Sequence, residues 1–181
     1  EAGGGDVLCF SFVPEDSIIE RSRNDGVPYD QWAKEGYIET CEGPVVDYDL
    51  IVERIKALGQ IYDIREIGID PWNAAGVETK LMGAGFNVVR IPQGFANLSA
   101  PSKQIERLVK LGKLRHGGSP VLRWAANNVT VDHDAYDNIR PSKAKSTERI
   151  DPIVALVMAI GRAMVNVESG SVYTERGFLE L

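Results

Sequence analysis

Arg65-Glu66-Ile67-Gly68-Ile69-Asp70-Pro71-Trp72-Asn73 decides how the chain is read. Ile67 and Ile69 alternate with small or polar neighbours, the pattern of a short strand. Pro71 ends any ladder, because proline has no N–H and biases the residue before it away from helix. Asn73 then suits the cap of a helix through Val77, Leu81 and Met82, ended by Gly83 and Gly85. Asp70 thus falls at the C-terminal end of a strand, just before a helix, the edge of an α/β sheet at which ligands bind. On this stretch alone, a carboxylate that stabilises a turn and one that binds a ligand fit equally well.

Strand-like runs flank this unit: Asp6 to Val13, Tyr37 to Cys41 and Phe86 to Pro92. Glu15 to Asp30 is polar and turn-rich and reads as a helical turn and loop, with a short helix expected around Trp32 over Tyr29 to Glu35. Asp47 caps an amphipathic helix carrying Ile51, Ile55 and Leu58. Two strands followed by helix–strand–helix–strand give an α/β fold, a mixed sheet flanked by helices. With 181 residues, 44% apolar and 25% charged, the chain reads as one soluble globular domain spanning 1–181. No apolar run is long enough to span a bilayer. The longest, Ile153 to Val165, is broken by Gly161 and Arg162 and reads as a buried helix, so no membrane partner is expected. There is no secretory signal. The chain begins at Glu1 and not at methionine, as expected of a fragment or processed product.

Cys9 and Cys41 have neither metal-ligand spacing nor a disulfide framework, and each falls in an expected strand, as reduced buried thiols do. His116 and His133 complete no zinc site with them. Walker A, dinucleotide-fingerprint and nucleophile-elbow sequences are all absent. The net charge is −6, unevenly spread: residues 101–150 carry +5 and the remainder −11, a basic stripe on an acidic body.

Within that stripe a helix is expected to open at Ser99 or Ser102, with Ile105, Leu108 and Val109 on one side. Lys103, Arg107 and Lys110 lie along another face at i, i+4 and i+7. A solvated helix face is the general explanation of such spacing, and a track for a phosphate backbone is the functional one. Val121 to Val131 reads as a strand or hairpin arm containing Trp124, and 132–149 as a long polar loop. Asp151-Pro152 then opens a helix through Ala163, apolar on all sides. Aspartate at N-cap before proline at N1 is sufficient structural reason for both residues. The remaining chemistry is that of carboxylates: Asp70 and Asp151 could converge on magnesium or manganese, which favour hard oxygen ligands.

The blocks VPYDQWAKEGYIET, GPVVDYDLI, IREIGIDPWNA, GFNVVRIPQGF to LRHGGSPVLRWAANNV, and RIDPIVALVMAIGRAM occur in linked order over about residues 7–165. Together they resemble the C-terminal nuclease domain of the large terminase subunit of tailed bacteriophages. The resemblance implies an RNase H-like fold and a metal-dependent endonuclease, with two Mg2+ or Mn2+ ions, that cuts concatemeric viral DNA during genome packaging. Asp70 matches the family's strand-end carboxylate and Asp151 its helix-start carboxylate, both as metal ligands. Asp134 matches an aspartate in the hairpin before the last helix, as an additional catalytic member. Lys103, Arg107, Lys110, Lys143 and Lys145 are then expected on the DNA backbone. The family's first strand, with its leading aspartate, is expected upstream of residue 7, where this chain offers only EAGGGD, and Asp6 opens what reads as the second strand. Implied partners are double-stranded DNA, the portal, the small terminase subunit and the subunit's own ATPase domain, in the cytoplasm of a bacterial host. A non-catalytic module docking on DNA or the portal is the alternative.

Overall fold

The computed structural model describes residues 4–72 and 75–171. Its elements are short strands and longer helices in the order β1 (Gly5–Asp6), β2 (Phe12–Pro14), α1 (Ile18–Asp25), α2 (Tyr29–Lys34), β3 (Glu39–Cys41), α3 (Tyr48–Gly59), β4 (Ile67–Ile69), α4 (Ala75–Gly83), β5 (Val88–Arg90), α5 (Phe95–Lys110), β6 (Leu114–Arg115), α6 (Pro120–Asn128), β7 (Val131–His133), β8 (Ile139–Pro141) and α7 (Asp151–Ser171). The mixed α/β architecture expected from the sequence is present. β1 pairs with β6, β2 with β3 and β4 with β5, all parallel, while β7 and β8 form an antiparallel hairpin. No ladder joins these four pairs among the described residues.

Local chemistry explains most boundaries. Asp47 caps α3 by accepting the Asp49 N–H at 2.8 Å. Ile67 N–H donates to Asn87 O and Ile91 N–H to Ile69 O, both at 2.8 Å, and this sets the β4–β5 register. Asn73, the expected cap of α4, lies outside the described residues.

Several expectations are corrected. The stretch expected to be one strand over 6–13 is split into β1 and β2, and Cys9 lies between them, half-buried, while Cys41 is buried in β3. The polar segment after Pro14 contains a 3-10 turn and the two-turn helix α1, stopped by Gly26 at φ +66°. α5 begins at Phe95, not at Ser99 or Ser102. Gly94 is its N-cap, and both serines are buried within it. The Ser99 hydroxyl accepts the Ile139 N–H at 3.2 Å, so its polarity anchors the hairpin instead of capping a helix. The loop expected over 132–149 contains most of that hairpin.

The clearest miss is 121–131, expected to be a strand, of which 121–128 lie in helix α6 and only Val131 in a strand, β7. Ser119 accepts the Leu122 N–H at 3.2 Å and Pro120 occupies the first turn, a helix start outweighing the β-propensity of Val121 and Trp124. Removing that cap by Ser119→Ala lowers stability by about 1 kcal/mol, read as a shift in the urea midpoint at unchanged slope.

α6 lies between two buried clusters. Leu122 and Ala125 join Ile91, Leu98, Ile153, Leu156 and Val157, while Val121 joins Val13, Ile18, Tyr29, Trp32 and Ile38. α7 is not buried all round: Ile153, Val154, Leu156 and Val157 face inward, whereas Ala155, Ala159 and Ala163 are exposed. A groove of about 720 Å3 runs between α7 and the segment 63–68.

Candidate active site

The relation of β4 to α7 fixes where the candidate carboxylates stand. At the start of β4, Glu66 accepts from Arg162 at 2.6 Å and from Asn166 at 3.0 Å, both late in α7. The neighbouring Arg162 guanidinium holds the Glu66 carboxyl below its usual value, with a smaller contribution from Asn166. At the other end of the strand, Ile69 is bonded to Ile91, and Ile91 shares a buried cluster with Ile153, Leu156 and Val157. β4 and α7 therefore run antiparallel. Gly68, in the middle of β4, lies against Arg162, late in α7. Asp70, one residue beyond β4, and Asp151, the first residue of α7, therefore both lie toward the same end of this pair, but Asp151 lines a cleft that Asp70 does not line.

Asp70 Oδ1 accepts the Trp72 N–H at 3.0 Å, which folds Pro71 into a tight turn. Its second oxygen has no hydrogen-bond partner among the described residues. Asp151 is 63% exposed at its side chain and pairs with Lys143 Nζ at 2.5 Å. Among the described residues, no three His, Cys, Asp or Glu side chains form a metal-binding group.

Asp134 is differently employed. Its Oδ1 accepts the backbone N–H groups of Tyr136 and Asn138, and its Oδ2 accepts the Asn138 side-chain amide at 2.8 Å. This folds the β7–β8 turn, in which Asp137 takes the left-handed φ of +59°. The Asn138 amide holds the Asp134 carboxyl below its ordinary value of 3.8, reinforced by the two backbone donors and by Lys103. A depressed carboxyl stabilises the fold above its ordinary value and loses that contribution as pH falls through its folded value. Thermal unfolding of Asp134→Asn against the native chain should therefore show a deficit at neutral pH that closes below pH 3.8.

The basic residues are mostly paired. Lys103 donates to Asp137 O at 2.8 Å, Lys110 lies 3.8 Å from Glu106, and Lys145 pairs with Asp132 at 2.8 Å. Lys145 is the main cause of a lowered Asp132 pKa, with Ser142 and Arg140 adding to it. Arg107 is exposed and has no charged partner among the described residues. Lys103, Arg107 and Lys110 do share the exposed face of α5.

A further network was not anticipated. Asp25, with its side chain 7% exposed, accepts the Tyr29 hydroxyl at 2.6 Å and Arg149 Nε at 2.9 Å. Burial, then Asp25, pushes the Tyr29 hydroxyl above its usual pKa, so it stays a donor. Arg149 and Asp151 both line a cleft of about 300 Å3 with Arg21 and Tyr29. Asp25 and Arg149 are 124 residues apart, and no local pattern could have joined them.

The family model described as terminase large subunit, endonuclease domain, matches residues 7–167. The chain is 34% identical over 163 residues to the terminase large subunit of Enterobacteria phage HK97, covering 89% of this chain and 32% of that protein. It is 33% identical over 161 residues to Protein YmfN of Escherichia coli (strain K12), covering 85% of this chain and 35% of that one. It thus spans about a third of the length of these relatives. The crystal structure of the HK97 large terminase superposes with a TM-score of 0.77 at 33% identity, over 83% of this chain and 32% of that chain. The large terminase nuclease of thermophilic phage G20c, crystallised with bound magnesium, gives 0.50 at 18% identity, over 64% of this chain and 62% of that one, a likeness of fold alone. These structures bear out the expected RNase H-like class.

Proposed function

Because the chain belongs to the terminase large-subunit endonuclease-domain family over residues 7–167, we propose that it hydrolyses phosphodiester bonds of double-stranded viral DNA during genome packaging. The observation that carries this reading is the family match over residues 7–167, and the candidate ligands are two carboxylates at element ends, Asp70 one residue beyond β4 and Asp151 at the start of α7. Both offer hard oxygen ligands, so the donor set suits Mg2+ or Mn2+. Two ions are the number the family resemblance implies. A cation held there supplies Lewis-acid stabilisation of the charge that develops on the phosphodiester.

The chain's own residues do the rest. The Asx turn from Asp70 to Trp72 orients the strand-end carboxylate, and Lys143 offsets the charge of Asp151 until ligands compete for it. Asp134 assists by holding the hairpin turn. Lys103, Arg107, Lys110, Lys143 and Lys145 bind the DNA backbone, giving affinity without sequence preference. The double substitution Arg107→Ala, Lys110→Ala should weaken binding equally across sequences and reduce the log–log salt slope by about 2.

The portal, the small subunit and the ATPase motor of the same subunit are the proposed partners, in the host cytoplasm. The test is nicking of supercoiled plasmid by the complete subunit in Mg2+ or Mn2+. Activity lost in chelator and in Asp151→Asn supports the nuclease.

The Lys143–Asp151 ion pair favours a second reading, because a cation already occupies one candidate ligand. In that reading the domain only docks on DNA or the portal. Salt-sensitive DNA binding by the complete subunit, with no cutting in either metal, would establish it.

A further inference from the structure

Trp72 is 81% exposed, although tryptophan is the side chain with most apolar area to lose to water. A single exposed apolar residue needs no explanation by itself. The placement of this one does. Pro71 restricts the backbone between Asp70 and Trp72, and the Trp72 N–H is bonded to Asp70 Oδ1 at 3.0 Å. Carboxylate and indole are therefore two parts of one turn, with Cα atoms at most about 7 Å apart. Any phosphodiester held at Asp70 brings its own nucleotide, or the next, within reach of the indole. The other two tryptophans are placed differently. Trp32 and Trp124 lie 5.9 Å apart, centroid to centroid, in an aromatic cluster with Tyr29.

We infer that Trp72 is a DNA-contacting residue that packs its indole on the apolar face of a deoxyribose next to the phosphate held at Asp70. This rests on the nuclease reading above. A flat indole suits such a role because every deoxyribose of a duplex offers the same apolar surface at the backbone, so the contact adds affinity without selecting sequence. It also complements the basic residues, which act on the phosphates alone. The indole would thus set how the strand lies against the carboxylates, and the α5 lysines and arginine how strongly the duplex is held.

The distribution of tryptophans makes the test direct. The 181-residue chain is titrated with a double-stranded oligonucleotide in Ca2+, with intrinsic fluorescence and the anisotropy of labelled DNA recorded together. Saturating DNA should shift or quench the solvent-exposed emission component. Trp72→Phe should lose that component and retain affinity, whereas Trp72→Ala should bind about tenfold more weakly. Because the side chain is exposed, neither change should lower the thermal midpoint. DNA binding without an emission change, or wild-type affinity in Trp72→Ala, would overturn the inference and leave the nuclease reading standing. Absence of any DNA binding by anisotropy would overturn both.

Discussion

Replacing Asp70 by asparagine should reduce DNA cleavage by the complete subunit by at least about a thousandfold, a barrier change of about 4 kcal/mol. The substitution is nearly isosteric. An asparagine amide still presents an oxygen to the Trp72 N–H, so the Asx turn that follows β4 should persist. What disappears is the negative charge, and with it most of the affinity for a divalent cation, since a neutral amide oxygen is a weaker ligand than a carboxylate. The measurement pairs plasmid-nicking rates with far-UV circular dichroism and thermal unfolding of the same preparations. A large loss of rate at an unchanged midpoint separates a chemical role from a structural one. Cleavage near the wild-type rate would remove Asp70 from the site.

The largest stability effect should come from Asp25→Ala. This carboxylate is almost wholly buried and serves two donors, the Tyr29 hydroxyl and Arg149 Nε. Truncating it strands both donors, and hydrogen bonds to charged groups are individually among the strongest in proteins. Arg149 is half-exposed and can regain water, so the cost falls at about 2–3 kcal/mol, below that of a fully buried pair. For a domain of this size that is a drop of about 5–10 °C in Tm. Tyr29→Phe should lose only about 1 kcal/mol, because it removes one donor and leaves the ion pair. Equal losses in the two variants would mean that Arg149 contributes little to holding the segment before Asp151.

What could be read in the sequence depended on how local its cause was. β4 and the turn at Asp70-Pro71 are set by neighbouring residues and were legible. The α3 cap at Asp47 was legible for the same reason. The start of α7 was placed to within a residue, but Asp151 is its first residue and not its N-cap, since Ile150 O accepts the Val154 N–H and the Asp151 carboxylate takes Lys143. α6 was missed because Val121 and Trp124 favour a strand, although Ser119-Pro120 is a helix-start signal. Ser99 and Ser102 were mistaken for caps although both lie buried inside α5: the Ser99 hydroxyl serves Ile139, 40 residues away, and the Ser102 hydroxyl has no hydrogen-bond partner among the described residues.

The candidate site divides in the same way. Asp70 and Asp151 could be singled out from their places at element ends, strengthened by family resemblance. That Lys143 would sit on Asp151, or that Asp134 would be engaged by three donors in its own turn, depends on side-chain geometry that spacing does not encode. The Asp25–Arg149 pair joins α1 to the entry of α7, and only the packed fold could reveal it.

The central claim, that Asp70 and Asp151 together hold a divalent cation, is tested most directly by anomalous scattering from crystals of this chain soaked in manganese. It reads the site without requiring turnover. The account predicts an anomalous peak coordinated by both carboxylates, with Lys143 displaced from Asp151. Well-ordered Asp70 and Asp151 side chains too far apart to share an ion, with no peak at either, would contradict it.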